Sequence, residues 1–305
     1  MHQDELDLAI ENYTKAIALD PQDAEAYSDR GLAYHDKGDY DRAIADFDQA
    51  FALDPHDAET HSDRGLAYYF RGDLDQAIAN YNQAIILDPQ LVEAYSNRGT
   101  AYYDTDDLGQ AIADYDQVIA LDPQDADAYY NRGNAYHEMG DLDRAIADLD
   151  QAIALDPMLA PAYNNRGLVH YDKDDLDLAI ADYEQAIALD PESAGSHFNL
   201  GNAYASLGEL DRAIAAYDQA IALDPQDADA YFNRGNAYFS LGDLDQAIAD
   251  YGQAITLNPQ DADAYANRGF AYETRGDLDE AIADYGQATA LDPQGMDADS
   301  ARGFG

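Results

Sequence analysis

Nine of the ten prolines recur at a spacing of 34 residues along the 305-residue chain. Only Pro161 lies outside this series. A fixed period in this range indicates a repeat protein, in which each repeat is one supersecondary unit stacked on the next. The chain is therefore predicted to fold as a solenoid. The nine periodic prolines are Pro21, Pro55, Pro89, Pro123, Pro157, Pro191, Pro225, Pro259 and Pro293.

The period divides the chain into repeat units when Ala24 is taken as position one. Residues 1–23 correspond to the second half of a unit. Residues 296–305 begin a further unit, because Arg302-Gly303 repeats the pair at Arg268-Gly269. The eight complete units are 24–57, 58–91, 92–125, 126–159, 160–193, 194–227, 228–261 and 262–295.

Each unit carries two runs of apolar and small residues at helical spacing. In the first run of the first complete unit, Tyr27, Gly31 and Tyr34 share one helical face. The Gly38-Asp39 pair between the runs predicts a turn, since glycine tolerates the left-handed conformation and aspartate can cap the second helix. The periodic proline ends that second helix. Two antiparallel helices per unit are predicted, and the glycine at position eight and alanine at position twenty of every unit let them approach closely.

This pattern resembles the tetratricopeptide repeat family over nearly the whole chain. The resemblance implies an all-α fold, a right-handed superhelical solenoid of antiparallel helix pairs whose first helices line a concave groove. It also implies that the chain holds peptides or other proteins. In the unit 126–159 the matching residues are Tyr129, Gly133, Tyr136, Ala145, Ala152 and Pro157.

Charge and composition exclude several classes of protein. The chain has 62 Asp and Glu against 16 Lys and Arg, a net charge of -46, which argues against a nucleic-acid-binding surface. Hydrophobic residues make up 47% of the sequence, too many for a disordered acidic tail. No apolar run approaches the roughly 18 residues of a membrane span, and the N-terminus is acidic where a secretory signal is basic. We therefore expect a soluble, cytoplasmic protein without membrane insertion.

Catalytic and metal-binding patterns are not found in the sequence. The chain has no cysteine, and its histidines form no helical HExxH pair or nucleophile relay. His61, His170 and His197 are interpreted as replacements of core tyrosines, and a histidine metal site is the alternative. The chain is predicted not to be an enzyme and to need no cofactor.

One turn raises the hypothesis of a calcium site. Residues 104–109 place acids at the first and third positions and glycine at the sixth, as an EF-hand loop does. The pattern fails at Leu108, where a polar ligand is needed, and at Tyr115, where the bidentate glutamate belongs. A capped turn open to solvent is therefore favoured.

Position seven carries arginine in seven of the eight units, where many family members have leucine. We interpret these arginines as structural, with an aliphatic stem that packs and a guanidinium that reaches a nearby aspartate. A cationic ladder for phosphate or carboxylate ligands is the alternative. Arg132→Leu is then expected to change stability by no more than about 1 kcal/mol, and Asp148 and Asp150 are expected on the outer surface. The arginines are Arg30, Arg64, Arg98, Arg132, Arg166, Arg234 and Arg268, and Leu200 is the exception.

The opposite face of each first helix carries positions two, five, six, nine, twelve and thirteen, which we call the groove face. Position six forms an unbroken row of amides, Asn97, Asn131, Asn165, Asn199, Asn233 and Asn267. An amide has donors and an acceptor, so such a row can hold an extended peptide backbone. These six positions resemble the asparagine ladder in the repeat superhelix of O-linked N-acetylglucosamine transferase, without implying its enzyme activity. Ordinary exposed asparagines are the alternative.

Other groove-face residues add amides, aromatic rings and carboxylates. Exposed aromatics in a groove are typical binding anchors, and acids attract cationic peptides. The expected partner is an extended, basic or aromatic-containing peptide segment of unknown identity. The additional candidate residues are Asn134, Asn202 and Asn236; Tyr103, Tyr130, His137, Tyr171, Phe198, Phe232 and Phe239; and Asp127, Asp229 and Asp263.

Two alternative functions stay open at this point. The last complete unit has Ile282 and Tyr285 on its second helix, with ten residues beyond it that include Gly303 and Gly305. Solenoids need polar caps, so end-to-end self-association into a structural scaffold is one alternative. The repeat region of a larger enzyme or regulator is the other.

Overall fold

The computed structural model describes residues 3–293, and within them the chain is all α-helical. The predicted tail unit at 296–305, with Gly303 and Gly305, lies outside the described residues. Contacts divide the chain into two compact units, Met1–Pro157 and Met158–Gly305. In both, each helix packs against the next one along the chain, and successive first helices also touch. The prediction of an all-α solenoid of antiparallel helix pairs is confirmed.

In Met1–Pro157 the even-numbered helices are the first helices of the repeats and the odd-numbered ones are the second. The helices are α1 Gln3–Leu19, α2 Ala24–Asp36, α3 Tyr40–Leu53, α4 Ala58–Arg71, α5 Leu74–Leu87, α6 Val92–Asp104, α7 Leu108–Leu121, α8 Ala126–Glu138 and α9 Leu142–Leu155.

Met158–Gly305 continues the same alternation through its described residues, 158–293. Its helices are α10 Ala160–Asp172, α11 Leu176–Leu189, α12 Ala194–Ser206, α13 Leu210–Leu223, α14 Ala228–Leu241, α15 Leu244–Leu257, α16 Ala262–Arg275 and α17 Leu278–Leu291.

The turn inside each helix pair forms as the sequence predicts. Gly38 has φ +76°, and the Asp39 side chain accepts a hydrogen bond from the backbone N–H of Arg42 at the start of α3. Asp106 and Asp174 occupy the same turn position with φ of 61° and 63°. Aspartate tolerates this left-handed region better than most residues, at some cost in strain.

The turn at residues 104–109, for which the sequence raises the hypothesis of a calcium site, is a capped turn. Asp107 accepts a hydrogen bond from the backbone N–H of Gln110 at the start of α7. Asp104 accepts a hydrogen bond of 2.5 Å from the hydroxyl of Tyr69. Both carboxylates are therefore used by the protein itself, as the favoured interpretation requires.

In most repeats the core joins a tyrosine on the second helix to the glycine at position eight of the first, and Phe47 and Leu149 take the place of the tyrosine in two repeats. A Cβ added at Gly201 would lie 2.5 Å from the Cε1 atom of Tyr217, so only glycine leaves room for the ring. The prediction that small residues let the helices approach is confirmed. The fully buried tyrosines are Tyr81, Tyr115, Tyr183, Tyr217 and Tyr251.

Six of the seven position-seven arginines pair with an aspartate sixteen residues later, and the seventh, Arg64, faces Asn80. In each pair Nε and Nη2 donate to the two carboxylate oxygens, with N···O distances between 2.5 and 2.9 Å. The structural interpretation of these arginines is confirmed. The pairs are Arg30–Asp46, Arg98–Asp114, Arg132–Asp148, Arg166–Asp182, Arg234–Asp250 and Arg268–Asp284.

The expectation that Asp148 lies on the outer surface is wrong. Asp148 is 7% exposed on α9, where it receives both hydrogen bonds from Arg132. The unit that lacks the arginine also lacks the acid, because Leu200 stands sixteen residues before Ala216. In this repeat the arginine and the aspartate are lost together, whereas Arg64 keeps its arginine and faces Asn80.

Of the three histidines assigned to core positions, His61 is buried and the other two are half-buried. His61 is 4% exposed, and the His170 side chain is 12% exposed with Nε2 at 3.8 Å from the carboxylate of Asp182. His197 is half-buried, with Nε2 at 3.2 Å from the carbonyl oxygen of Pro191. Among residues 3–293, no three His, Asp or Glu side chains form a group that could hold a metal ion.

Candidate functional site

Groove-face residues of Met1–Pro157 form a half-buried surface edged by a carboxylate. The candidates here are Asn97, Tyr103, Asp127, Tyr130, Asn131, Asn134 and His137. Asp127 is exposed, while the other six are half-buried. Burial first, and then the charges of Glu138 and Tyr130, raise the pKa of Tyr103. The first helices α6 and α8 touch, so these groove faces lie side by side.

In Met158–Gly305 the amides form a hydrogen-bonded network that crosses from one repeat to the next. Asn202 accepts a hydrogen bond of 2.7 Å from the hydroxyl of Tyr217 and one of 3.1 Å from Nδ2 of Asn233. The arrangement recurs one repeat later. Asn236 accepts from the hydroxyl of Tyr251 at 2.8 Å and from Nδ2 of Asn267 at 3.0 Å.

The position-six asparagines therefore do not form a uniform row. Asn199 donates from Nδ2 to Oδ1 of Asn164 at 3.1 Å, and Asn164 donates to Oδ1 of Asn165 at 3.1 Å. Asn233 and Asn267 instead bind the position-nine amides of the preceding repeat. Each amide thus has part of its hydrogen-bonding capacity used inside the protein, which fixes its orientation.

A cleft of about 380 Å³ opens over this network on the groove faces of α10, α12 and α14. Asn202, Asn233 and Asn236 line it, and Ser206 and Ser240 stand along its edge. The hydroxyl of Tyr171 lies 2.9 Å from that of Ser206. The cleft is therefore polar, with side chains that both donate and accept hydrogen bonds.

The aromatic candidates are less exposed than the sequence predicts. Phe198 and Phe232 are half-buried, with ring centroids 6.0 Å from Tyr217 and 5.8 Å from Tyr251. Phe239 is half-buried too, 5.2 Å from the ring of Phe270. These rings are half-buried because they pack onto the buried tyrosines and neighbouring apolar side chains, and their role as binding anchors stays a prediction.

Groove-face carboxylates remain open to solvent in both compact units. Asp127, Asp229 and Asp263 are exposed near the starts of α8, α14 and α16. Carboxylates at helix N-termini interact favourably with the helix dipole. They give the surface an anionic edge.

Asp63 occupies position six of α4, the place of the asparagines in later repeats. Its half-buried carboxyl lies close to Glu59 and Asp57. Burial first, and then repulsion from these two acids, raise the pKa of Asp63 to about 7. Near neutral pH this carboxyl is partly protonated and then offers a donor and an acceptor, as an amide does.

Asp63→Asn should stabilise the protein at pH 8 by about 3 to 4 kcal/mol, because each unit of the pKa shift corresponds to about 1.4 kcal/mol, and should leave its stability near pH 4 almost unchanged. The folded protein holds a proton on Asp63 up to about pH 7, whereas the unfolded chain releases it near the ordinary value of 3.8. The free energy of unfolding therefore falls as pH rises between these values, and asparagine removes that fall. Urea unfolding at both pH values measures the effect. Asp127→Asn, the same charge change at an exposed site, should leave the pH dependence as in the wild type.

Sequence reasoning missed three aromatic residues of this surface. The hydroxyls of Tyr217 and Tyr251 reach the groove-face amides from second helices. Phe70, at position thirteen of α4, is 53% exposed beside the rings of Tyr40 and His35. The spacing of fifteen residues from Asn202 to Tyr217 and from Asn236 to Tyr251 is the signal that could have revealed the hydroxyls.

Within residues 3–293, none of the helices combines the length and apolar character that a membrane span requires.

Family models match nearly the whole chain. The model described as "TPR repeat" matches residues 1–38, 31–70, 67–106, 100–140, 133–174, 170–208, 201–242 and 235–276. The model described as "Tetratricopeptide repeat" matches residues 262–294. No curated protein matches the chain.

Solved structures of repeat proteins are similar to the chain. A chain of the APC/C hetero-tetramer Cut9-Hcn1 is 22% identical with a TM-score of 0.64, over 86% of this chain and 52% of that one, so this chain spans about half its length and the likeness shows the fold alone. YrrB, a TPR protein with an unusual peptide-binding site, is 27% identical with a TM-score of 0.54, over 62% of this chain and 98% of YrrB. MamA is 32% identical with a TM-score of 0.50, over 54% of this chain and 96% of MamA.

Proposed function

The chain belongs to the tetratricopeptide repeat family, and from this premise we propose that it binds extended segments of partner proteins on its groove face. The fold is typical of non-enzymatic scaffolds for protein interaction. YrrB, which is similar over 62% of this chain, has a peptide-binding site, and this likeness supports the proposal.

The amide network of Met158–Gly305 is the observation that carries the proposal. Oδ1 of Asn202 accepts two hydrogen bonds from the protein, which leaves its Nδ2 donors for a ligand. Asn233 donates from Nδ2 and keeps its Oδ1 acceptor. Hydrogen bonds within the protein thus fix one set of donors and acceptors, and the same arrangement recurs at Asn236 and Asn267. These groups match the N–H and C=O groups of an extended peptide. Because hydrogen bonds within the protein already hold these amide side chains in one orientation, little side-chain entropy is lost on binding.

The charge of the groove face favours basic segments. Asp127, Asp229 and Asp263 are exposed, and the chain carries a net charge of -46. Such a field speeds the encounter with cationic partners and opposes anionic ones. Basic segments with a few aromatic residues are therefore the proposed ligands, with affinity near 1 µM, or about -8 kcal/mol.

Asn202→Leu/Asn236→Leu should weaken peptide binding at least tenfold while leaving helicity unchanged. Leucine stands at the equivalent position nine in Leu32, Leu66 and Leu168, so the fold accommodates it there. The substitution removes the fixed amides that would bind the peptide backbone. Fluorescence anisotropy with a labelled pool of basic, random-sequence peptides measures the affinity, and circular dichroism measures the helicity.

Gln219→Leu supplies the matched control, because it makes the same amide-to-leucine change at an exposed site on the second helix α13. It should bind the peptide pool as the wild type does. Equal affinity of the double variant and the wild type, or preference of the wild type for acidic peptides, would contradict the proposed binding mode.

Self-association is a second candidate, favoured by exposed apolar side chains on α17. Leu278 is 60% exposed and Ile282 is 70% exposed. Light scattering against protein concentration separates this candidate from peptide binding by a monomer.

A further inference from the structure

The repeat 58–91 departs from the common pattern at a single place away from the groove face. Its arginine, Arg64, faces Asn80 where six other repeats have an aspartate. His61 replaces the tyrosine of position four, and Phe51 of the preceding repeat replaces the isoleucine found at that position in later repeats. All four residues line one cavity between α3, α4 and α5.

The asparagine leaves Arg64 incompletely paired. Nε of Arg64 donates to Oδ1 of Asn80 and Nη1 donates to Oδ1 of Asp48, both at 2.7 Å. The other end of the Asn80 amide is the Nδ2 donor, which donates to the carbonyl oxygen of Gln76 at 2.7 Å, so Asn80 has no second oxygen to offer Arg64. The Nη2 group, which binds the second carboxylate oxygen in the other six repeats, has no hydrogen-bond partner among the described residues.

A second buried polar group faces the same space. His61 is 4% exposed, and its Nε2 atom makes no hydrogen bond within the described chain. Its ring meets Phe51 edge-on at 4.8 Å, and the Arg64 guanidinium lies 5.4 Å from the centre of the same ring. Burial first, and then the positive charge of Arg64, lower the pKa of His61, so the imidazole is neutral near pH 7.

The cavity has the size and lining of a small-molecule site. It has a volume of about 470 Å³ and opens to solvent, and this volume lies within the roughly 300 to 1,000 Å³ typical of ligand pockets. Arg64, His61 and Asn80 supply polar groups, while Phe51 and Leu87 supply apolar contact. Its lining shares no residue with the groove-face candidates.

We propose that this cavity binds the carboxylate of a small organic anion, with Arg64 Nη2 and the His61 imidazole as hydrogen-bond donors. The carboxylate takes the role that the aspartate plays beside the arginine of other repeats. A flat apolar body then contacts Phe51 and Leu87. Asp48, already bound to Arg64, opposes a second negative charge, so a monovalent carboxylate is favoured over phosphate.

Asn80→Asp tests the proposal, because it rebuilds the arginine–aspartate pair of six other repeats. The new carboxylate then accepts the hydrogen bond from Arg64 Nη2 that the ligand would otherwise accept. Benzoate is the probe, followed by NMR through the His61 ring resonances and by calorimetry. We expect the wild type to bind benzoate with a Kd of about 1 mM, and Asn80→Asp to bind it at least tenfold more weakly. The thermal midpoint of Asn80→Asp should equal or exceed that of the wild type, which shows that the variant folds.

Two further probes identify the source of the carboxylate. A short peptide that ends in phenylalanine is compared with its amidated form. Binding of the free-acid peptide at least tenfold tighter than benzoate, with loss on amidation and in Asn80→Asp, would support a peptide C-terminus as the source. Benzoate binding as tight as or tighter than the peptide would support a free organic acid.

Three results would overturn the proposal. The first is equal benzoate affinity in the wild type and Asn80→Asp. The second is phosphate binding as tight as that of benzoate. The third is no saturable benzoate binding up to about 10 mM, ten times the expected Kd.

Discussion

Replacing Arg132 alone with leucine is expected to lower the free energy of unfolding by about 3 to 5 kcal/mol. The arginine donates two hydrogen bonds to Asp148, which is 7% exposed on α9. Leucine would leave that carboxylate buried without a cation. This replaces the sequence-based expectation of a change within about 1 kcal/mol, which took the site to be free of such a feature. Urea unfolding followed by circular dichroism measures the loss.

The double variant Arg132→Leu/Asp148→Ala is the matched control, since it copies the Leu200 and Ala216 pair of another repeat. It removes both charges together, and replacing a buried ion pair with apolar residues is often close to neutral. We expect most of the lost stability to return. If the single and double variants were equally unstable, the loss would arise from packing of the arginine stem and not from the unpaired carboxylate.

The helix pairs could be predicted from the sequence because their signals are local. Pro55 places the end of the second helix, and α3 ends at Leu53. Gly38 and Asp39 mark the turn, where the structure has a positive φ and a side-chain cap. Each signal acts through the backbone of its own or the next few residues. Repetition at a constant spacing then makes the assignment unambiguous.

The orientation of polar side chains could not be predicted as well, because it depends on contacts between helices. Asp148 belongs to an acidic second helix, which predicts a side chain that faces solvent. In the structure its carboxylate is buried and accepts hydrogen bonds from Arg132. The sequence does contain a signal for this. Leu200 and Ala216 change together in one repeat, which identifies positions seven and twenty-three as partners.

On the groove face, too, side-chain orientation depends on contacts between helices that the sequence pattern of one helix does not contain. The groove-face positions follow from helical periodicity, and in Met158–Gly305 Asn233 and Asn267 hydrogen-bond to groove-face amides of the preceding repeat. Which end of each amide remains available depends on the tyrosine hydroxyls of second helices. Those contacts cross between helices, and the periodicity of one helix carries no information about them.

Gly201→Ala is expected to lower the free energy of unfolding by about 2 to 3 kcal/mol, even though alanine favours a helix over glycine by about 1 kcal/mol. The added Cβ would stand 2.5 Å from Cε1 and 2.6 Å from Cδ1 of Tyr217. The ring cannot move away freely, because Tyr217 is 1% exposed and its hydroxyl donates to Asn202. Urea unfolding measures the loss, and a change in the tyrosine ring resonances would show that the clash lies at this contact.

Gly133→Ala is the control that the chain itself offers. Leu149 replaces the tyrosine in that repeat, and its Cγ would lie 3.1 Å from the added Cβ. A leucine side chain can shift by a few tenths of an ångström at small cost, while the gain in helix propensity stays the same. We therefore expect a change within about 1 kcal/mol for Gly133→Ala. Equal losses at the two glycines would mean that the backbone contact between the helices, and not the tyrosine ring, requires glycine at position eight.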